Sequence, residues 1–345
     1  MDRRNFLYQS ANAFMGAMLV SSCRSQVPLV QTPGSDRGKI YLSLKGEGKS
    51  STLRILDLND YSFKDWVIPL PHPHSMALNL QNPDEMFLYE FMGYAAKVNL
   101  VTDKTILMAG KETNFAGHAV QYEDVIWSTE KYFNGEFVAF ARRASDLSVI
   151  PGKEHTFKAG HHIVKMPGTN QIVTGSEGRI VFYDLGKKKI VREIPIDQEI
   201  SPIHFFPLSE SEVISVTGIM DGSLGTKFNL SGMAPAYYAN MKGDVRPFWD
   251  EKEKEHFRFG FGIKKLTSQT WLTGHNMGDA VFLWKDFKIV KKFEMKSPQT
   301  ISLTKDGTQF IVHTADKLNF YSFKTNELEK TISYDRPIIA MSEQV

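Results

Sequence analysis

At 345 residues and 42% hydrophobic, the chain is long enough to bury a large core and too apolar for intrinsic disorder. Its 41 Lys and Arg and 39 Asp and Glu are intermixed, for a net charge of +2, with no basic stripe to displace counterions from a phosphate backbone. Nucleic acid is therefore not an expected partner.

In chain order, the first feature is Arg3 and Arg4, followed by Phe6 and Leu7 and a mildly apolar stretch from Ala11 to Val20 that is too short to span a membrane. This resembles a twin-arginine export signal, with Asp2 and Tyr8 where Ser and Lys are usual. Val20-Ser21-Ser22-Cys23 is similar to the lipobox at which bacterial lipoproteins are cut and acylated. Cys23 is the only cysteine, so the body of the protein would carry neither a free thiol nor a disulfide. The expectation is a signal peptide over 1–23 with Cys23 as a lipid anchor; the plainer alternative is a cysteine beside an ordinary cleavage point. Residues 24–38 are polar, contain Pro and Gly, and read as a tether. Arg24 stands where Asp would signal inner-membrane retention, so a periplasmic protein held at the outer membrane is expected.

Beyond the tether a phrase recurs. "PHPHSMALNL", "FAGHAVQYED", "AGHHIVKMPG" and "SPIHFFPLSE" each open on a histidine followed by alternating apolar residues. His74, His118, His162 and His204 recur at about 42 to 44 residues, the size of a four-stranded propeller blade. The phase restarts without histidine near Gly262 and again near Ser302, with an insertion expected within 219–258. "RPIIAMSEQV" at the end reads as a first strand without partners, and "GKIYLSLKGEGKSSTLRILDLNDYSFKDWVIP" near the start reads as three strands lacking a first. Joining them gives a seventh unit, predicting an all-β, seven-bladed propeller over 39–345 whose last blade is closed by both termini. No sustained 3.6-residue period appears after the signal, so little helix is expected. Most Trp and Phe fall within strand-like runs and are assigned to packing between blades.

In such a blade the start of strand one and the end of strand two share a rim. His74, His118, His162 and His204 would then surround the mouth of the central channel, with Glu90, Glu130 and Glu177 beside them and His275 in the place equivalent to Glu130. Imidazoles and carboxylates from separate rigid blades suit Fe, Cu, Zn or Mn. The candidate ligands are His74, His118, His161, His162, His204, Glu130 and His275. A structural role stands beside this one: Gly-His near a blade start can serve hydrogen bonding between strands, and the histidine shares its alternation phase with Met76 or Val120, which should pack between blades. At "GHH" the apolar phase favours His162, whereas the Gly-His dipeptide favours His161. Pro71 and Pro73 around His72 suggest an extended entry to the blade, and His155, His256 and His313 lack a partner in the pattern.

"RRNFL", "FAGHAVQYEDVIWSTE" and "AGHHIVKMPGTNQIVTGSEG" together resemble a bacterial family of twin-arginine-exported, periplasmic seven-bladed propellers of uncharacterised function. That family is similar in architecture to the propellers of quinoprotein dehydrogenases and nitrous oxide reductase, and its members often accompany imelysin-type iron-uptake systems. The resemblance implies a metal-related role in the cell envelope. His204 is not preceded by Gly, and several turns lack the family's Asp-Gly. The leading expectation is a monomeric, non-enzymatic propeller that binds a metal ion, a metal complex or a metal-uptake partner at the histidine rim. The alternatives are a redox enzyme using rim-bound copper or iron and a metal-free interaction scaffold.

Overall fold

The computed structural model describes residues 36–343 except 109–112, 133–136, 159, 177 and 222–226. The signal expected over 1–23, with Arg3, Arg4 and Cys23, and Glu177 of the rim lie outside the described residues. The described chain forms seven antiparallel blades around an axis.

Blade 1 joins Lys39–Lys45, Ser51–Asp57 and Phe63–Ile68 to the C-terminal strand Ile338–Glu343. Blades 2 to 4 begin at Pro73–Asn79, Thr113–Tyr122 and Ile163–Lys165, and blades 5 to 7 at Ile200–Pro207, Gly260–Lys265 and Ile301–Leu303. Each of these innermost strands touches the next, and Ile338–Glu343 lies between those of blades 7 and 2, so the ring is closed. The closing ladder pairs Tyr41 with Ser342 and Leu42 with Met341. The C-terminal segment is thus the missing first strand of blade 1, as its reading as a first strand without partners predicts.

Strand burial follows position in the blade. The second strand of blade 7, Gln309–His313, is buried along its whole length because neighbouring blades cover both faces, which is why it reads as a continuous apolar run rather than an alternation. Outermost strands such as Lys189–Pro195 and Leu328–Ser333 are mostly exposed and rich in Lys and Glu. Apolar clusters fill the spaces between blades. Trp66 with Met76 and Leu88 joins blades 1 and 2, Trp127 with Tyr183 joins blades 3 and 4, and Trp271, Trp284 and Phe248 join blades 5 and 6. Ile40, Leu42 and Met341 pack on Ile311 and Phe320 of blade 7, so closure buries apolar surface as well as a strand edge.

Two local departures bear on function. Blade 5 carries an extra short strand, Lys227–Asn229, on its second strand, and a 3-10 turn follows at Lys254–His256, both within the expected insertion. In blade 2 the second strand, Asn82–Gly93, overruns its partners and pairs Phe91 and Gly93 with Ala116 and Phe115 of blade 3, bringing Phe91 to the channel mouth. Asp36, Arg37 and Gly38, which the sequence assigns to the tether, are already bonded to the propeller: Asp36 pairs with Lys305 at 2.6 Å, and the Lys305 backbone N–H donates to the Arg37 carbonyl. Among the described residues the only helical segments are two 3-10 turns, Lys254–His256 and Asn276–Gly278.

Candidate metal centre

The histidines come from four consecutive blades and converge. One ring nitrogen each from His74, His118, His161 and His204 lies within 4.8 Å of the others. Two Nε2–Nε2 pairs, His74 with His161 and His118 with His204, stand at 3.1 Å. Four-coordinate binding with metal–nitrogen bonds of about 2.0–2.1 Å spaces ligand nitrogens about 3.3 Å apart. The close pairs already have nearly this spacing, and the widest pair has to close by about 1.5 Å.

Strand alternation alone would turn His74 and His118 into the blade with Met76 and Val120. Breaks in the ladder prevent this. Pro73 pairs with Glu90 and Ser75 with Tyr89, leaving His74 as the extra residue of a β-bulge. Phe115 pairs with Glu130 and Ala119 with Ser128, so Ala116 to His118 stand opposite Thr129 alone. A further shift lies between Pro202 and His204, and His161 and His162 precede their strand altogether. A bulge interrupts the period of two and re-aims the side chain. The alternation argument against a rim position therefore fails at these sites.

The irregular backbone is held by hydroxyls, three from second strands and one, Ser75, from the first strand of blade 2. Thr129 Oγ1 donates toward the carbonyls of His118 and His161, at 3.1 and 3.0 Å. Thr174 Oγ1 serves that of His162 at 2.8 Å, Ser215 Oγ that of His204 at 3.0 Å, and Ser75 Oγ that of Gly117. Gly117 has φ +103°, and a Cβ there would stand 2.6 Å from the His74 ring, so glycine is required both by conformation and by close approach. The Gly-His dipeptide here makes room for a histidine of the neighbouring blade.

Burial removes protons from the cluster. Desolvation holds His74 down at about 4, and desolvation with the neighbouring imidazoles holds His162 at about 3. The same causes push His118 and His204 well below the ordinary imidazole range. These rings are neutral near pH 7, the form that binds a metal. His162 differs from the other four. Its Nδ1 accepts the Phe205 backbone N–H at 3.1 Å, which leaves the proton of the neutral ring on Nε2. His162 therefore packs against His118 and His204, with ring centroids 4.4 and 4.8 Å away, while His161 belongs to the converging set.

The two described carboxylates of the expected rim, Glu130 and Glu90, are engaged elsewhere. Glu130 is fully buried and forms a two-pronged ion pair with Arg142, at 2.6 and 2.8 Å, and it accepts from Ser128 Oγ at 2.7 Å. Glu90 accepts the backbone N–H groups of His72 and Tyr94, at 3.0 and 3.1 Å. His275 occupies the place equivalent to Glu130, closing a second strand, but is buried in blade 6 against Phe257 and hydrogen-bonded with Thr273 Oγ1 at 3.1 Å. Neither Glu130 nor His275 belongs to the converging set, since each is held inside its blade by the contacts above.

Two aromatic residues complete the wall. Phe91 stands 5.7 Å from the His74 ring and 5.2 Å from that of His161; Phe261 stands 5.8 Å from His74 and 4.9 Å from His204. Phe261 is the bulged residue of blade 6, between Gly260 and Gly262, and so takes the position that His74 holds in blade 2. The restart near Gly262 marks that position in the sequence. Phe91 carries no such repeat signal, since it arrives through the overrun of a long strand.

The chain matches no protein-family model and no curated protein. Among solved structures it is similar to the dihydro-heme d1 dehydrogenase NirN in complex with DHE, at 11% identity and TM-score 0.59 over 90% of this chain and 76% of that one. It is also similar to the computationally designed Ika8 protein, at 10% identity and TM-score 0.58 over 89% and 90% of the two chains. The WD40 β-propeller domain of Doa1 aligns at 14% identity and TM-score 0.54, over 79% and 93%. The chain is a seven-bladed β-propeller. At these identities the likeness is one of fold, and the chemistry of the propeller has to be argued from its own histidines.

Proposed function

We propose that this propeller binds one transition-metal ion at the mouth of its channel, through His74, His118, His161 and His204. The observation that carries the proposal is the convergence of four buried or half-buried imidazoles to within 4.8 Å, each supplied by a different rigid blade. Such an array is costly to bury without a purpose, and neutral imidazole suits Zn, Cu, Fe and Ni. In the same proposal the protein works in the periplasm, exported through the Arg3-Arg4 signal, anchored by acylated Cys23 and handling metal for the cell envelope; the support for that part is the N-terminal sequence.

Equilibrium dialysis of the untagged protein against Zn(II), Cu(II), Cu(I) and Fe(II) tests the site. At least one of these ions should be retained at one per chain, and the His118→Ala, His204→Ala double variant should lose it with an unchanged circular dichroism spectrum. Full retention by a folded double variant would refute the site.

A further inference from the structure

Resting on that metal site, we propose that it selects copper in the monovalent state, Cu(I), over the divalent ions Cu(II) and Zn(II). The argument is one of charge. The converging set, among the described residues, consists of four neutral nitrogen donors and includes no carboxylate and no thiolate. Of the acids that the sequence brings nearest, the two that are described are committed: Glu130 to Arg142, and Glu90 to two backbone amides. Among the described residues, Phe91 and Phe261 add apolar rings at 4.9 to 5.8 Å from the imidazoles.

Among the described residues no anionic side chain joins the donor set, so an ion held here keeps its full charge. The continuum cost of placing an ion in a low-dielectric site rises with the square of its charge, so a dication is penalised about four times as heavily as a monocation of similar size. Imidazole is soft enough to hold copper, and among the described residues the donor set has no carboxylate of the kind that favours harder divalent ions. The blade-6 position is decisive for this reasoning. A histidine or acid at Phe261 would have added a donor or a counter-charge; phenylalanine adds neither. The proposal concerns binding alone, and the ion enters and leaves as Cu(I).

The test is anaerobic titration of the full chain with Cu(I) in competition with bicinchoninate, beside separate titrations with Cu(II) and Zn(II). Cu(I) should bind at one per chain and at least 100-fold more tightly than Cu(II), equivalent to raising the potential of bound copper by about 120 mV. Cu(I) should exceed Zn(II) by at least the same factor. Equal or tighter binding of Cu(II) or Zn(II) would overturn the selectivity and leave the metal site standing, whereas binding of no ion would remove both. A second measurement isolates the cause. Phe261→Glu, shown by its melting curve to be folded, should narrow the Cu(I) preference over Cu(II) at least tenfold with stoichiometry unchanged. An unaltered preference in that variant would mean that charge does not select the ion, and would overturn the proposal.

Discussion

Glu130 shows how a residue identified by its repeat position can have a different role. Its place after the histidine phrase suggested a ligand, yet its carboxylate lies wholly inside blade 3 on the Arg142 guanidinium. Removing one partner of a buried pair strands the other charge, so Glu130→Ala should cost about 3–5 kcal/mol in urea denaturation. Metal stoichiometry should remain at the wild-type value in whatever fraction folds. A loss below about 1 kcal/mol would mean that Arg142 finds water and that the pair is not structurally required.

At the scale of the strand, the β-bulges separate converging from packing histidines. His74 and His118 sit within bulges and reach the axis, whereas His275 and His313 end regular second strands and stay in the blade core. His313 is satisfied locally, by Gln299 Oε1 at 2.9 Å and the Thr300 N–H at 3.3 Å. Burial holds both His275 and His313 down at about 3. Their folded pKa lies below the unfolded value, so the unfolded chain binds more protons between pH 6.5 and about 3. Stability should therefore fall as pH drops through that window, by at most roughly 5 kcal/mol for each group at the acid end. Chemical denaturation at pH 7, 6, 5 and 4 measures this, and His313→Gln should flatten the slope. An identical slope in the variant would contradict the assignment of a neutral, buried His313.

For the molecule as a whole, closure of the ring adds a paired strand and buried apolar surface to the packing between blades. Deleting residues 336–345 removes the buried side chains Ile338, Ala340 and Met341 and leaves the Lys39–Lys45 edge bare. Loss of that burial should cost more than about 5 kcal/mol and lower the melting temperature by about 10 °C or more. A deletion variant that melts with the intact protein would show that blades 1 and 7 hold together without the closing strand.

The seven units, the complementary ends and the four blades that bear histidine could all be recognised in the sequence, because strand alternation and a period near 44 residues are local signals repeated along the chain. The choice between His161 and His162, the fate of Glu130 and the roles of Phe91 and Phe261 could not. They depend on where a ladder slips by one residue, on which backbone amide meets an imidazole nitrogen, and on how far one strand overruns another. Sequence by itself determined the ring and the supply of imidazoles to it. Tertiary structure alone decided which imidazoles meet and which acids are withheld from them, because those outcomes come from contacts between blades whose residues lie 40 to 90 positions apart.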